Sequence, residues 1–206
     1  MPRVFIVDDD APILEWLDTV VRTVGLETSP FSDPREFLAT YRRDDAEPAC
    51  AVFDMRMPRF SGLALLEHLR ASGDPLPVIL LSAHADVTSA VEAMKLGATD
   101  FLQKPARTQA VIDAVNSAME LAERTSEAAL VDRELCAAFD TLTAKERQIL
   151  DGILDGKANK VMAIDLDITE KAVETRRARL MRKLDATSVA EVVQLALRVQ
   201  GQDPSR

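Results

Sequence analysis

The first half of the chain alternates short apolar runs with segments in which apolar residues recur at helical spacing. The apolar runs are strand candidates at residues 4–8, 26–31, 50–54, 78–82 and 100–103. Helices are predicted at about 12–24, 34–43, 62–72, 87–96 and from 108 onward. This order is typical of an α/β doubly wound, five-stranded parallel sheet, as in flavodoxin-like folds. The third and fourth runs are almost continuously apolar, which predicts strands covered on both faces.

The segment that follows contains no helix breaker. Residues 106–140 include neither Gly nor Pro, so the fifth helix is predicted to continue as a long helical linker over residues 121–141. Apolar residues recur along it at steps of three and four, namely Ala128, Val131, Leu135, Ala138 and Leu142. This seam could form a coiled coil between two protomers, or it could pack against the chain's own domains. We favour a dimer contact.

The last third of the chain has the pattern of a small all-α domain of four helices. Thr143 stands three residues before Glu146, which is the capping-box signature of a helix start, and Gly156 ends that helix. Further helices are predicted at 160–166, 170–184 and 188–199, with a tight turn at 167–169, and together they suggest a helix-turn-helix. The predicted domains are therefore 1–120, 121–141 and 142–206.

Helical spacing separates two faces of the segment 170–184. Val173, Leu180 and Leu184 are predicted to face the core. The opposite face then carries Lys171, Glu174, Thr175, Ala178, Arg179 and Arg182. Arginines on such a face can bind phosphates or guanine edges, and Glu174 could accept a hydrogen bond from a cytosine amino group. A merely solvated charged face is the alternative at this point.

Charge is distributed unevenly along the 206 residues, whose net charge is -9. Residues 1–120 carry 11 Lys and Arg against 19 Asp and Glu, whereas residues 143–206 carry 12 against 10. The overall balance argues against a nucleic-acid binder along the whole chain, and the asymmetry suggests two domains with different partners. The basic residues of the last part are concentrated in Lys171, Arg176, Arg177, Arg179, Arg182 and Lys183.

Composition excludes several other classes of protein. Cys50 and Cys136 are too few and too far apart for a disulfide scaffold or a thiolate metal site. No apolar run approaches the length of a membrane span, and the N-terminus leads directly into a strand candidate and not into a signal peptide. We therefore expect a soluble, cytoplasmic protein.

Polar side chains stand where the predicted strands end. Asp8 and Asp9 close the first strand, Asp54 the third and Ser82 the fourth, and Lys104 follows the fifth. Right-handed crossovers bring these ends to one edge of a parallel sheet. Clustered carboxylates stay ionised together only beside a cation, and an all-oxygen site favours Mg²⁺. One carboxylate of such a cluster could accept a phosphoryl group, with a hydroxyl and a lysine stabilising its charge.

These residues lie in motifs that resemble the receiver domain of bacterial two-component response regulators over about residues 1–120. The motifs are VDDD at 7–10, DMRMP at 54–58, LSA at 81–83 and FLQKP at 101–105. The resemblance implies that Asp54 takes a phosphoryl group from a sensor histidine kinase, while Ser82 and Lys104 contact the phosphoryl oxygens. It also implies that Asp8, Asp9, Asp54 and the backbone carbonyl of Arg56 hold Mg²⁺.

The same resemblance implies a conformational switch. Phe101 matches the aromatic residue that turns inward as Ser82 moves toward the phosphoryl group, and the Lys104–Pro105 peptide bond would be cis. Two nearby residues have expected roles outside the switch. Asp10 is expected to be the N-cap of the first helix, and His84 a loop residue that shapes access to the site.

The last part resembles the LuxR-type output domain, and the whole arrangement resembles FixJ-like transcriptional regulators. The matching motifs are LTAKERQIL at 142–150, ANK at 158–160 with Ala163, and ITEKAVE at 168–174. By this resemblance Glu174, Thr175 and Ala178 would meet bases. Phosphates would be met by Lys160, Lys171, Arg179 and Arg182. Ala172 and Arg176 depart from the usual threonine and histidine, which leaves the operator open.

The resemblance implies a phosphorylation-dependent, DNA-binding transcriptional regulator and not an enzyme. A single output domain has too small an interface and too small a positive charge for tight site-specific binding. A homodimer on a two-fold operator is therefore expected. A receiver that acts through protein partners without DNA is one alternative. An atypical regulator that needs no phosphorylation is another. A phosphatase with an aspartate nucleophile would need acid or base residues beside Asp54, where Met55 and Arg56 stand.

Overall fold

The computed structural model describes residues 2–44, 46–83 and 87–200. The chain divides into two compact units, Met1–Ala129 and Leu130–Arg206, each with its own apolar core. The predicted boundaries at residues 120 and 142 remain predictions, since the joining helix runs without a break through residue 120 and ends at Asp140.

The first unit is built on a five-stranded parallel sheet, which confirms the predicted fold class. Its strands are β1 (Arg3–Val7), β2 (Glu27–Phe31), β3 (Ala49–Asp54), β4 (Val78–Ser82) and β5 (Asp100–Gln103). Their order across the sheet is β2-β1-β3-β4-β5. The register pairs Val7 with Phe53, Asp54 with Leu81, and Ser82 with Gln103, so that the carboxyl ends of the central strands lie side by side.

Helices cover both faces of this sheet. They are α1 (Ala11–Thr23), α2 (Pro34–Thr40), α3 (Gly62–Ala71), α4 (Val87–Lys95) and α5 (Thr108–Asp140). Leu17 of α1 and Val115 of α5 are fully buried in one core, and Phe37 of α2 and Leu65 of α3 in the other. Because successive strand residues point to opposite faces, the central strands feed both cores and have to be apolar throughout.

One helix ends earlier than predicted. α2 stops at Thr40 and not near residue 43, because Tyr41 adopts an extended backbone conformation. Its ring lies 5.1 Å from the ring of Phe5 and 5.1 Å from that of Phe37. Aromatic packing at such distances stabilises the early exit from the helix, and local sequence does not show it.

The long fifth helix is confirmed, at 33 residues. Val111, Val115 and Ala118 near its start are buried in the core of the first unit. Near its end Leu135 and Ala138 pack against the core of the second unit, and Phe139 belongs to that core.

The residues of the predicted apolar seam therefore lie in two different environments. Leu142 lies beyond the helix end and is buried in the second core, with Leu135 and Ala138 packed beside it. Ala128 and Val131 are exposed. Leu135, Ala138 and Leu142 therefore pack against the chain's own domain, which was one of the two interpretations of the seam. A dimer contact through Ala128 and Val131 stays a prediction.

The second unit consists of the end of α5 and four further helices, and these four were predicted from the sequence. They are α6 (Ala144–Leu154), α7 (Asn159–Asp165), α8 (Glu170–Lys183) and α9 (Val189–Gln200). The predicted capping box is present, because Thr143 and Glu146 exchange side-chain to backbone hydrogen bonds. Val173, Leu180 and Leu184 are buried in the core, which confirms the predicted inner face of α8.

Candidate functional site

Three carboxylates converge at the carboxyl edge of the sheet. Asp8 follows β1, Asp54 is the last residue of β3, and the two are almost completely buried, whereas Asp9 is exposed. One carboxylate oxygen from each of the three lies within 4.8 Å of the others. Oxygen-only donors at this spacing suit a hard divalent cation.

Lys104 completes this cluster from the end of β5. Its Nζ lies 2.6 Å from Asp8 Oδ2 and 2.5 Å from Asp54 Oδ1. Its backbone amide donates to the carbonyl of Ser82 at 2.8 Å, and the peptide bond to Pro105 is cis, as the resemblance implied. The ammonium group therefore neutralises part of the charge of two carboxylates that would otherwise repel each other.

Burial and charge act on this cluster in opposite directions. Burial raises the pKa of the Asp8 carboxyl above its ordinary value, although the hydrogen bonds from Lys104 and from the Asp10 amide act to lower it. Burial alone would lower the pKa of Lys104, but its hydrogen bonds to Asp54 and Asp8 outweigh that effect and raise it. Lys104 is accordingly held in its charged form beside the two carboxylates.

The loop after Asp54 is fitted closely around that residue. Asp54 Oδ2 accepts a hydrogen bond of 2.8 Å from the amide of Arg56, and the amide of Met55 donates to the Leu81 carbonyl at 2.7 Å. A Cβ atom at Gly62 would lie only 2.3 Å from the Asp54 carbonyl oxygen. Glycine is therefore required at position 62 for steric reasons, a requirement that the predicted helix over 62–72 did not show.

The remaining predicted receiver residues lie on neighbouring strands. Ser82 ends β4 and is fully buried. Phe101 in β5 pairs with Leu80 and is partly buried against the core of the α3 side. The side chain of Arg56 is exposed. His84 lies outside the described residues.

Asp10 occupies the N-cap position of α1 as expected, but its side chain makes no cap hydrogen bond. The reason is local. Pro12 has no amide to donate, and the amide of Ile13 is bonded to the Asp10 carbonyl at 3.0 Å. The Asp10 amide instead donates to Asp8 Oδ1 at 3.0 Å, which helps to orient the Asp8 carboxylate.

The second candidate site is the outer face of α8. The six residues predicted there are all exposed and border one shallow depression: Lys171, Glu174, Thr175, Ala178, Arg179 and Arg182. Lys160 on α7 is exposed as well. A helix that presents a charged row of this kind can enter the major groove of DNA.

Two basic residues of the same helix are engaged within the domain, which the sequence count did not reveal. Arg177 donates to Asn159 Oδ1 at 2.9 Å. Lys183 Nζ lies 2.8 Å from Glu146 Oε2 and 2.8 Å from the Thr141 carbonyl. The positive charge that α8 has available for a partner is therefore smaller than its sequence suggests. No sequence signal pairs Glu146 with Lys183, because these residues are 37 positions apart.

Membrane-spanning segments are not found in the part of the chain that the structure describes, where no helix is both long and apolar enough.

Comparison with known proteins yields matches over both units. Residues 4–116 match the family described as the response regulator receiver domain, and residues 140–196 match the bacterial regulatory proteins of the luxR family. The transcriptional regulatory protein FixJ of Bradyrhizobium diazoefficiens is 36% identical over 95% of this chain and 95% of its own. The response regulator protein TmoT of Ectopseudomonas mendocina is 37% identical over 96% of this chain and 89% of its own.

A solved structure also matches the chain over nearly its whole length. That of the response regulator StyR superposes with a TM-score of 0.80 at 37% identity, and the match covers 96% of this chain and 98% of the other. The family matches and the full-length relatives agree with the parallel sheet and with the helical second unit described above. The chain therefore belongs to the DNA-binding two-component response regulators, in which a receiver domain is joined to a LuxR-type domain.

Proposed function

We propose that Asp54 is the phosphoryl acceptor of this regulator and that a sensor histidine kinase is the donor. The observation that carries the proposal is the position of the Asp54 carboxylate, at a strand end, beside Asp8 and 2.5 Å from Lys104 Nζ. A carboxylate held next to a cation is suited to receive a group that brings further negative charge.

The transfer exchanges one bond for another. An Asp54 carboxylate oxygen forms a P–O bond as the P–N bond of the donor phosphohistidine breaks, and the bonding electron pair remains on the imidazole nitrogen. Lys104 would then turn its ammonium group from the carboxylates toward the phosphoryl oxygens. The hydroxyl of Ser82, on the neighbouring strand, would donate a hydrogen bond to the same group.

The acidic cluster fits Mg²⁺ as cofactor. Its donors are carboxylate oxygens only, and the ion pairs of Asp8 and Asp54 with Lys104 indicate that these groups need a compensating positive charge. Asp8, Asp9 and Asp54, with the backbone carbonyl of Arg56, would hold the ion. When bound, it supplies charge neutralisation for the phosphoryl oxygens.

Phosphorylation can be measured directly on the full-length chain. Purified protein is incubated with acetyl phosphate and MgCl₂, and the addition of one phosphoryl group is read by intact mass. Asp54→Asn should abolish the addition, and so should excess EDTA with wild type. Asp10→Asn is the matched control, since its side chain makes no cap hydrogen bond, and it should be phosphorylated as wild type. Full modification of Asp54→Asn would disprove the assignment of the acceptor.

We further propose that the modified receiver changes shape at Ser82 and Phe101. Ser82 is fully buried at a strand end, and Phe101 is only partly buried on the adjacent strand, so an inward turn of its ring would bury apolar surface. Such a change alters the receiver surface around α4 and β5 and would favour a homodimer.

DNA contact is proposed for the outer face of α8. Glu174, Thr175 and Ala178 would meet base edges. Phosphates would be contacted by Lys160, Lys171, Arg179 and Arg182. Because residues 143–206 hold only 12 basic against 10 acidic residues, two copies on a two-fold operator would be needed for tight binding.

Salt dependence tests this face. Each lost phosphate contact should weaken duplex binding and lower the slope of log K against log salt by about one. The double substitution of Arg179 and Arg182 by Ala should therefore reduce the slope. Lys145→Ala, which removes one exposed cation at the start of α6, is the control and should leave the slope unchanged. An unchanged slope in the double variant would contradict the proposed face.

A further inference from the structure

An acidic side chain stands within the basic outer face of α8. Glu174 borders the same depression as Lys171, Arg179 and Arg182, and about half of its side chain is exposed. A carboxylate near DNA phosphates is repelled by them and lowers affinity for every sequence alike. A group that opposes non-specific binding can favour specific binding only by meeting a hydrogen-bond donor on a base.

The ion pair that Glu174 makes in the free protein does not prevent this role. Lys171 Nζ lies 3.1 Å from Glu174 Oε2, and 86% of the Lys171 side chain is exposed. An exposed pair at this spacing on a helix is weak. Lys171 can therefore move to a phosphate when DNA is bound, and the carboxylate remains as an acceptor directed outward.

The neighbouring residue adds a second acceptor. The Thr175 hydroxyl donates its proton to the Lys171 carbonyl at 2.8 Å. Its oxygen can then offer only lone pairs to a partner outside the helix. One turn further along, Ala178 presents a methyl group and no polar atom. The centre of the α8 face therefore offers acceptors and no donors.

Only one base matches such an edge fully. In the major groove cytosine presents an amino donor alone, whereas adenine adds the N7 acceptor, guanine presents two acceptors, and thymine presents an acceptor and a methyl group. We infer that Glu174 is a specificity-determining residue that selects cytosine at one position of each half-site. This inference rests on the proposed contact between the α8 face and DNA.

Selection of binding sites from random duplexes tests the inference with the full-length, acetyl phosphate-treated chain. Wild type should enrich cytosine at one position per half-site, with a preference of about 5- to 150-fold over thymine. Glu174→Ala should lose that preference, keep the remaining positions and bind unrelated duplex more tightly. Glu174→Gln should shift the preference toward adenine, because an amide can bond both N6 and N7.

Glu170→Ala is the matched control. It removes the same charge from an exposed position on the same helix, outside the depression, and should leave the selected sequence unchanged. If Glu174→Ala selects the same cytosine as wild type, the inference is overturned while DNA contact by α8 stands. If wild type enriches no site at all, both the contact and the inference are overturned.

Discussion

The ion pair between Glu146 and Lys183 should contribute measurably to the stability of the LuxR-type domain. The Glu146 carboxylate is nearly buried, and it accepts hydrogen bonds from Lys183 Nζ and from the amide and hydroxyl of Thr143, each at 2.8 Å. Lys183, with these two Thr143 bonds, holds the pKa of Glu146 at about 2 instead of 4.5. The perturbation we choose is Glu146→Gln, which removes the charge and keeps the shape.

The magnitude follows from the pKa. A fall from 4.5 to about 2 corresponds to about 3 kcal/mol of preference for the charged form. One third of the Lys183 side chain is exposed, so solvent screens part of this interaction. We therefore expect Glu146→Gln to lower the free energy of unfolding of the domain by about 2 kcal/mol at neutral pH.

The pH dependence has a defined direction. Because the pKa of Glu146 is lower in the folded than in the unfolded state, the contribution is fully present above 4.5 and is lost as the pH falls toward 2. The difference between wild type and Glu146→Gln should therefore narrow below pH 4.5. Asp151→Asn, at an exposed carboxylate of the same helix, should show no comparable difference at neutral pH.

The assay can separate the two units of the chain. Trp16 is the only tryptophan, and it packs against the core of the receiver, so its fluorescence follows unfolding of that unit. Circular dichroism at 222 nm follows the helices of both. In urea titrations Glu146→Gln should shift the helical signal and leave the Trp16 transition in place. Equal stability of variant and wild type at pH 7, or a displaced Trp16 transition, would refute the reasoning.

Three further predictions concern steric fit and burial. Gly62→Ala should reduce the rate of phosphorylation by acetyl phosphate about tenfold or more, because the added Cβ would lie 2.3 Å from the Asp54 carbonyl oxygen. Mass spectrometry over time measures this rate, and a rate equal to that of wild type would contradict the prediction. Gly152→Ala should lower the free energy of unfolding by about 1–3 kcal/mol, because the added Cβ would lie 2.5 Å from the Met162 sulfur. A urea titration followed by circular dichroism measures this, and unchanged stability would show that the sulfur moves aside freely. Burial raises the pKa of Cys50 to about 12, so iodoacetamide at pH 8 should modify at most one thiol in the native chain and two in urea. Modification of both thiols in the native protein would disprove the burial of Cys50.

The sheet was predictable from sequence because its physical cause is local. A strand buried on both faces has to be apolar almost throughout, as β4 is up to Ser82, and its predicted bounds agree with the observed ones. The convergence of Asp8, Asp9 and Asp54 followed from topology alone, since the ends of parallel strands share one edge.

The features that sequence did not reveal depend on contacts between distant residues. The early end of α2 at Tyr41 depends on ring packing with Phe5, and the partner of Glu146 is 37 positions away. The periodicity of the α5 seam was real, but a period alone cannot tell whether Leu135 meets its own domain or another chain.

The close approach of Gly62 to Asp54 has a consequence for genetics. A search for mutants that no longer signal should recover residue 62 as readily as the acceptor itself, although it offers no side chain to a phosphoryl group, a metal or a partner. Such a mutant would keep every reactive group intact and still behave as though the acceptor had been removed. Loss of signalling at this position would therefore reflect displacement of the acceptor and not loss of chemistry.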